Sequence, residues 1–507
     1  MNTQIRRLAL VLMLCFAALF VQLNRVQVFG RQELEDNPEN RRTVVRDYSE
    51  PRGFIATSDG VVVARSVEVD AELERQREYP EGDLYGHVTG FFSFKYGDEG
   101  LERVYGDELA GRTFEQRYES LADLFRDRNN VGNLTLTLRD DVQRAARDAL
   151  GDRKGSVVVL DPRDGSVLAL WSWPSYDPSG VSSVDIEAAD VAWAALLADP
   201  NQPMLPRTYR EIFFPGSTFK VVTAGAALDS NRVTPTDPVF PIETAYTPPL
   251  TTLPLSNFGG SACGGDLTEA LRQSCNTVFA RLAAEVLGPQ IMVEAAENFG
   301  FNSVPPLDLP AVATSQFPTD YGAVVSRTDS DPPVDIVEST PLLAQAAIGQ
   351  YDVKATPLQM ALVAAAVANE GVIMEPHLMS EIRDSDGDLV ESWDARSWRN
   401  AVTPTDAATL RRLMVNVVTN GTATGLQLPG FEVGGKTGTA QVTAERPDDT
   451  HAWVIAFAGP PGGAPEVAIA VVVESVPGQG QQTGGGVAVP IAQQVLQVAL
   501  SPATGGG

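Results

Sequence analysis

Apolar and polar positions alternate along this chain in three successive styles. The first is an unbroken apolar run over residues 8–21, preceded by Arg6 and Arg7 and followed by Gln22, Leu23 and Asn24. It is short against the roughly 20 residues that cross a bilayer, and Leu23, Val26, Val28 and Phe29 extend it. No small-x-small cleavage site follows, and Met13 and Leu14 stand where a lipoprotein signal before Cys15 needs small residues. An uncleaved, single-pass anchor is therefore expected, with the paired arginines in the cytoplasm and everything after the run exported. The second style, to about residue 132, is polar with short extended pieces. Residues 51–64 predict two strands around an Asp59-Gly60 turn, residues 100–109 a short helix and residues 133–138 an alternating strand. His87 stands alone there and is read as structural.

The third style begins at Gly155. Two apolar strands, 156–160 and 166–171, flank a turn ending in Asp164-Gly165, and they are apolar enough to be covered on both faces. Helical spacing follows over 221–228, 267–273, 277–287, 339–350 and 356–369, the last apolar nearly all round and hence buried. Residues 453–458 and 467–473 predict buried strands, and 487–500 a closing amphipathic helix. The pattern divides the chain into a cytoplasmic tip and anchor (1–30), a non-catalytic pedestal (31–150), a mixed α+β domain with a helix-covered sheet (151–500) and a flexible tail (501–507).

Charge and composition narrow the function. A formal net charge of −27 without a basic patch argues against a nucleic-acid partner. Three histidines leave little material for a Ser-His-Asp triad, and none clusters with cysteine as a metal site needs. No metal or cofactor is expected. On the exported side only Cys263 and Cys275 remain; a disulfide between them is favoured over two buried free thiols.

Among 38 basic residues only five are lysines, and one of them, Lys220, lies three residues after Ser217 where the Pro215-Gly216 break runs into a helix. Both side chains then share a helix face. A desolvated neutral lysine can take a serine proton, which arginine cannot do. Ser274-Cys275-Asn276 falls between two helical stretches, where two short polar side chains can enter a cleft. Lys436-Thr437-Gly438-Thr439 sits among glycines ahead of the last strands, a setting that suits an edge strand with a carboxylate site.

Ser217-x-x-Lys220, Ser274-x-Asn276 and Lys436-Thr437-Gly438, in this order and at these separations, resemble the motif set of penicillin-binding proteins and serine β-lactamases. Arg52-Gly53, Asp59-Gly60 and Gly100-Leu101-Glu102 resemble the pedestal of the class B members, and the whole chain is most similar to the short actinobacterial penicillin-binding protein A type. The resemblance implies a peptidoglycan D,D-transpeptidase with an antiparallel sheet covered by helices. It makes Ser217 the nucleophile, Lys220 its base and Ser274 a proton relay, with Asn276, Lys436, Thr437, Gly438 and Thr439 holding substrate. It further implies stem peptides and β-lactams as ligands, the cell membrane as the location and a polytopic glycan polymerase of the shape, elongation, division and sporulation family as a partner. Cys275 departs from the aspartate common in class A β-lactamases at that position. A β-lactamase has no use for a pedestal and an uncleaved anchor, a D,D-carboxypeptidase differs only in deacylation by water, a sensor should carry a cytoplasmic signalling segment where only seven residues precede the apolar run, and a dead scaffold should have lost Ser217, Lys220 or Lys436.

Overall fold

The computed structural model describes residues 2–24, 48–71, 73–113, 116, 130–443, 446–478 and 480–502. Val26, Val28 and Phe29 of the expected anchor and residues 503–507 of the expected tail lie outside these. Two main sheets are built from β1 (Ile55–Ala56), β2 (Val62–Glu68), β3 (Arg75–Glu78), β4 (Asn133–Leu136), β5 (Gly155–Leu160), β6 (Val167–Trp173), β7 (Met379–Arg383), β8 (Leu389–Ser392), β9 (Glu432–Thr443), β10 (Arg446–Gly459) and β11 (Val467–Val473). The helices that matter here are α1 (Asn2–Asn24), α2 (Asp140–Leu150), α3 (Ile186–Ala198), α4 (Lys220–Asp229), α5 (Leu267–Gln273), α6 (Asn276–Arg281), α7 (Pro357–Ala368), α8 (Pro404–Asn420) and α9 (Val489–Ala499).

α1 takes up the N-terminal apolar run, and its leucines and phenylalanines between Leu8 and Phe20 stand exposed. Among the described residues, however, no helix is long and apolar enough to cross a membrane; the side chains described in α1 run continuously only over 6–22.

The pedestal sheet has the order β8-β7-β4-β1-β2-β3. β1 and β2 pair antiparallel across the Asp59-Gly60 turn, β1 runs parallel to β4, and β4 takes β7 as its other, antiparallel neighbour. Two strands from far down the chain thus complete it. Beneath it, Glu102 is fully buried and receives Arg52 Nε at 2.7 Å and Arg77 Nε at 2.6 Å. Burial alone would push the Glu102 carboxyl up, but the two guanidiniums hold it below the usual carboxylate range. Arg77 also donates to Gly53 O (2.8 Å) and Arg52 to Glu102 O (2.6 Å), so three separated segments are tied at one point. His87 is equally structural: its ring nitrogens meet Pro203 O at 2.7 Å and Ser172 Oγ at 3.1 Å, and burial pushes it down to about 4.

The larger sheet has the order β9-β10-β11-β5-β6, antiparallel throughout, as expected from the apolar hairpin β5–β6. Every residue of β5 and β11 is buried, which requires cover on both faces. α7 packs against β11, β5 and β10, while α2 and α9 pack on each other and on the same sheet. α7 begins where Thr356 accepts a hydrogen bond from Gln359 N with Pro357 in the first turn, and all twelve of its residues are buried. β9 is left at the sheet edge, and the Lys436-Thr437-Gly438 motif lies on it, paired with Ile455, Val454 and Trp453 of β10.

Candidate active site

The nucleophile segment is not helical from its Pro-Gly break in the way the sequence suggests. Gly216–Phe219 forms a 3-10 turn, and α4 starts only at Lys220. At three residues per turn Ser217 and Lys220 stack on one edge, so the tighter turn strengthens the expected pairing. Gly216 makes the turn possible with φ of 53°, and its N–H donates to Gly349 O at 3.0 Å. Lys220 and the eight residues after it are buried, while Ser217 remains half-buried at the mouth.

β9 lies directly beside this turn. A Cβ on Gly438 would stand 2.9 Å from both Pro215 O and Thr218 Cγ2, too close for any side chain. The glycine in Lys-Thr-Gly is therefore required for contact between the edge strand and the nucleophile turn.

The third segment is set by a helix break. α5, capped by Asp266 on Glu269 N, ends at Ser274, whose backbone is left-handed (φ 59°, ψ 42°); α6 then starts at Asn276. Such a conformation costs a non-glycine residue on the order of 1–3 kcal/mol and persists only where neighbours enforce it. Here the C-cap of α5 does, with Ser274 N donating to Leu271 O at 3.1 Å and Cys275 N to Ala270 O at 2.9 Å, and two lysines hold the residue from the other side. Lys220 Nζ donates to Ser274 O at 2.7 Å and Asn276 Oδ1 at 2.6 Å and lies 3.3 Å from Ser274 Oγ. Lys436 Nζ donates to Ser274 Oγ at 2.8 Å and to Thr437 O at 2.8 Å. Ser274 thus bridges both lysines, and Asn276 is fixed from its other side by donating to Ser256 O at 3.0 Å.

Both ammonium groups are fully buried, with no carboxylate beside either among their described contacts. Burial, reinforced by the neighbouring Lys436, pushes Lys220 well below the usual lysine range. Burial alone pushes Lys436 down to about 7. A neutral Lys220 has two N–H donors and one lone pair. Ser274 O and Asn276 Oδ1 take the donors, which leaves the lone pair for a proton from a hydroxyl. Thr437 meets Thr422 Oγ1 at 2.7 Å, and Thr439 is half-buried two residues along the edge. Thr422 and Ser256 escaped the sequence reading, because neither belongs to a recognisable spacing. Cys275, between the two motif residues, is bonded to Cys263 with Cα atoms 5.8 Å apart. Among the described residues no His, Cys, Asp or Glu group is arranged to hold a metal.

Comparison with known proteins then decides the family. Residues 155–497 match the penicillin binding protein transpeptidase domain, and residues 52–134 match the penicillin binding protein A dimerisation domain. The chain belongs to the penicillin-binding protein transpeptidases. It is similar to the peptidoglycan D,D-transpeptidase PbpA of Mycolicibacterium smegmatis, with 38% identity over 516 residues and 99% of each chain covered. The Mycobacterium tuberculosis protein of the same name is 36% identical over 515 residues, again with 99% of each covered. In three dimensions the chain resembles a ceftriaxone acyl-enzyme of M. tuberculosis penicillin-binding protein A (TM-score 0.79, 35% identity, 90% of this chain and 100% of the other). A D,D-transpeptidase domain from Eggerthella lenta also superposes, with TM-score 0.73, 33% identity and 89% and 98% coverage.

Proposed function

We propose that this penicillin-binding protein is a peptidoglycan D,D-transpeptidase, acylated and inhibited by β-lactams, with Ser217 as its nucleophile. The observation that carries the reading is the buried Lys220 amine, hydrogen-bonded to Ser274 O and Asn276 Oδ1 and one turn from Ser217. Ser217 Oγ attacks the carbonyl between the two terminal D-alanines of a stem peptide while its proton passes to Lys220. The backbone N–H groups of Ser217 and Thr439 receive the developing oxyanion. Ser274, touching both lysines, relays a proton to the nitrogen of the departing D-alanine as the C–N bond breaks. Asn276 holds the donor's amide backbone; Lys436, Thr437 and Thr439, with Gly438 keeping the strand close, bind its terminal carboxylate. An amine of a second stem peptide then attacks the ester, restores the Ser217 hydroxyl and leaves a cross-link.

The exposed apolar surface of α1 supports a single-pass membrane anchor with Arg6 and Arg7 in the cytoplasm and the catalytic domain outside. The Cys263–Cys275 bond fits that oxidising side. Beside the anchor and pedestal a polytopic glycan polymerase would supply the strands to be cross-linked. Incubating the protein with a D-Ala-D-Ala donor peptide and an amine acceptor, and separating products by mass, tests the reading. The cross-linked dimer should form with equimolar D-alanine. D-alanine release with only the shortened peptide would make it a carboxypeptidase, and no release at all would remove the enzymatic reading.

A further inference from the structure

Beside the Ser274-Cys275-Asn276 segment lies a buried side chain that no motif includes. Asn257 is only 4% exposed, and every polar atom of its amide is used. Its Nδ2 donates to Glu243 O at 2.9 Å and to Ser261 O at 3.1 Å, and its Oδ1 accepts from Thr277 N at 3.0 Å. Two carbonyls on one side and one N–H on the other fix which way the amide faces.

Thr277 is the second residue of α6, and the residue that precedes that helix, Cys275, offers its first turn no side-chain cap. Orphan N–H groups at a helix start need an acceptor, and Asn257 supplies one from a separate segment. The same segment brings Ser256 O to Asn276 Nδ2 at 3.0 Å. Asn257 therefore anchors the start of the helix that carries Asn276, two residues beyond the left-handed Ser274. We propose that Asn257 is a positioning residue for acyl transfer: by capping α6 it holds Ser274 and Asn276 against Lys220 and Lys436. The proposal rests on the roles given above to Ser274 and Asn276.

The test is the acylation of the full chain by a fluorescent penicillin, resolved into the binding constant and the acylation rate constant per labelled site, for wild type, Asn257→Ala and Asn257→Asp. Asn257→Ala should label to full stoichiometry with a rate constant at least ten-fold lower and a binding constant within about two-fold. A merely structural side chain would lower the melting temperature and the labelled fraction and leave the rate per labelled site unchanged; that result overturns the proposal. Asn257→Asp serves even if the alanine variant does not fold. Its carboxylate would face the carbonyls of Glu243 and Ser261, and protonation restores one donor, so its rate relative to wild type should rise as pH falls from 8 to 5.5. A flat ratio overturns the proposal. Absence of Ser217 labelling in the wild type would instead strike the catalytic reading itself, so the two failures are distinguishable.

Discussion

The chemistry of this site turns on two lysines that share one serine hydroxyl. Lys220 and Lys436 stand 3.3 and 2.8 Å from Ser274 Oγ, and burial lowers both. A lysine lowered in this way is neutral above its shifted value and charged below it. The base must be neutral and the carboxylate clamp charged, so acylation should follow a bell in pH. The acid limb belongs to Lys220, and the alkaline limb, beginning near 7, belongs to Lys436. A bound substrate carboxylate stabilises the charged Lys436, so the alkaline limb of kcat should lie at higher pH than that of kcat/KM. Stopped-flow acylation across pH checks both limbs, and Lys220→Arg, unable to release a proton, should lose roughly 10²–10⁴-fold in rate. At this scale the sequence was most legible: hydrogen bonds join Lys220, Ser274, Asn276 and Lys436, and Ser217 lies in the turn that leads into Lys220. Spacing could not show that Ser274 adopts a left-handed backbone, because such helix ends are usually written with glycine or asparagine, and here a serine closes α5 through bonds from Ser274 N to Leu271 O and Cys275 N to Ala270 O.

At the scale of elements, what positions the chemistry is the contact between a turn and an edge strand. Gly438 lets β9 lie against the 3-10 turn of Ser217, and Gly438→Ala would drive a methyl group to 2.9 Å from Pro215 O. The expected result is displacement of the turn, with a stability cost of about 1–3 kcal/mol and acylation slowed by more than ten-fold, measured by melting temperature and labelling rate together. The β5–β6 hairpin, α7 and α9 were legible from apolar period and turn residues alone. α3 and α8 were not foreseen. α3 is alanine-rich and buries only Ala189, so it has no apolar stripe to detect. α8 is announced by its Thr403 cap and Pro404, but its apolar positions are diluted by polar residues. The 3-10 turn was hidden as well, since Ser-x-x-Lys spacing fits either helix type.

For the whole molecule the pedestal is the part least readable in sequence. Its sheet borrows β7 and β8 from beyond residue 378, pairings that no local pattern encodes. Its firmest tie is the buried Arg52–Glu102–Arg77 cluster, of which only Arg52 and Glu102 were marked in advance, by resemblance. Glu102→Ala would leave two guanidiniums buried without their counter-ion and should cost about 3–5 kcal/mol in a denaturant titration. Because the folded Glu102 carboxyl is held below its unfolded value, its contribution is complete above the unfolded value and fades as pH falls through the folded one. The wild-type chain should therefore lose stability on acidification more steeply than Glu102→Gln.

That the Ser217–Lys220 turn is where this protein forms its covalent intermediate is tested most directly by incubating the wild-type chain and Ser217→Ala with a fluorescent penicillin and mapping the label by peptide mass. The expected result is one label per chain, located on Ser217, slow to turn over and absent from the variant. A label on another residue, or one that survives Ser217→Ala, would contradict it.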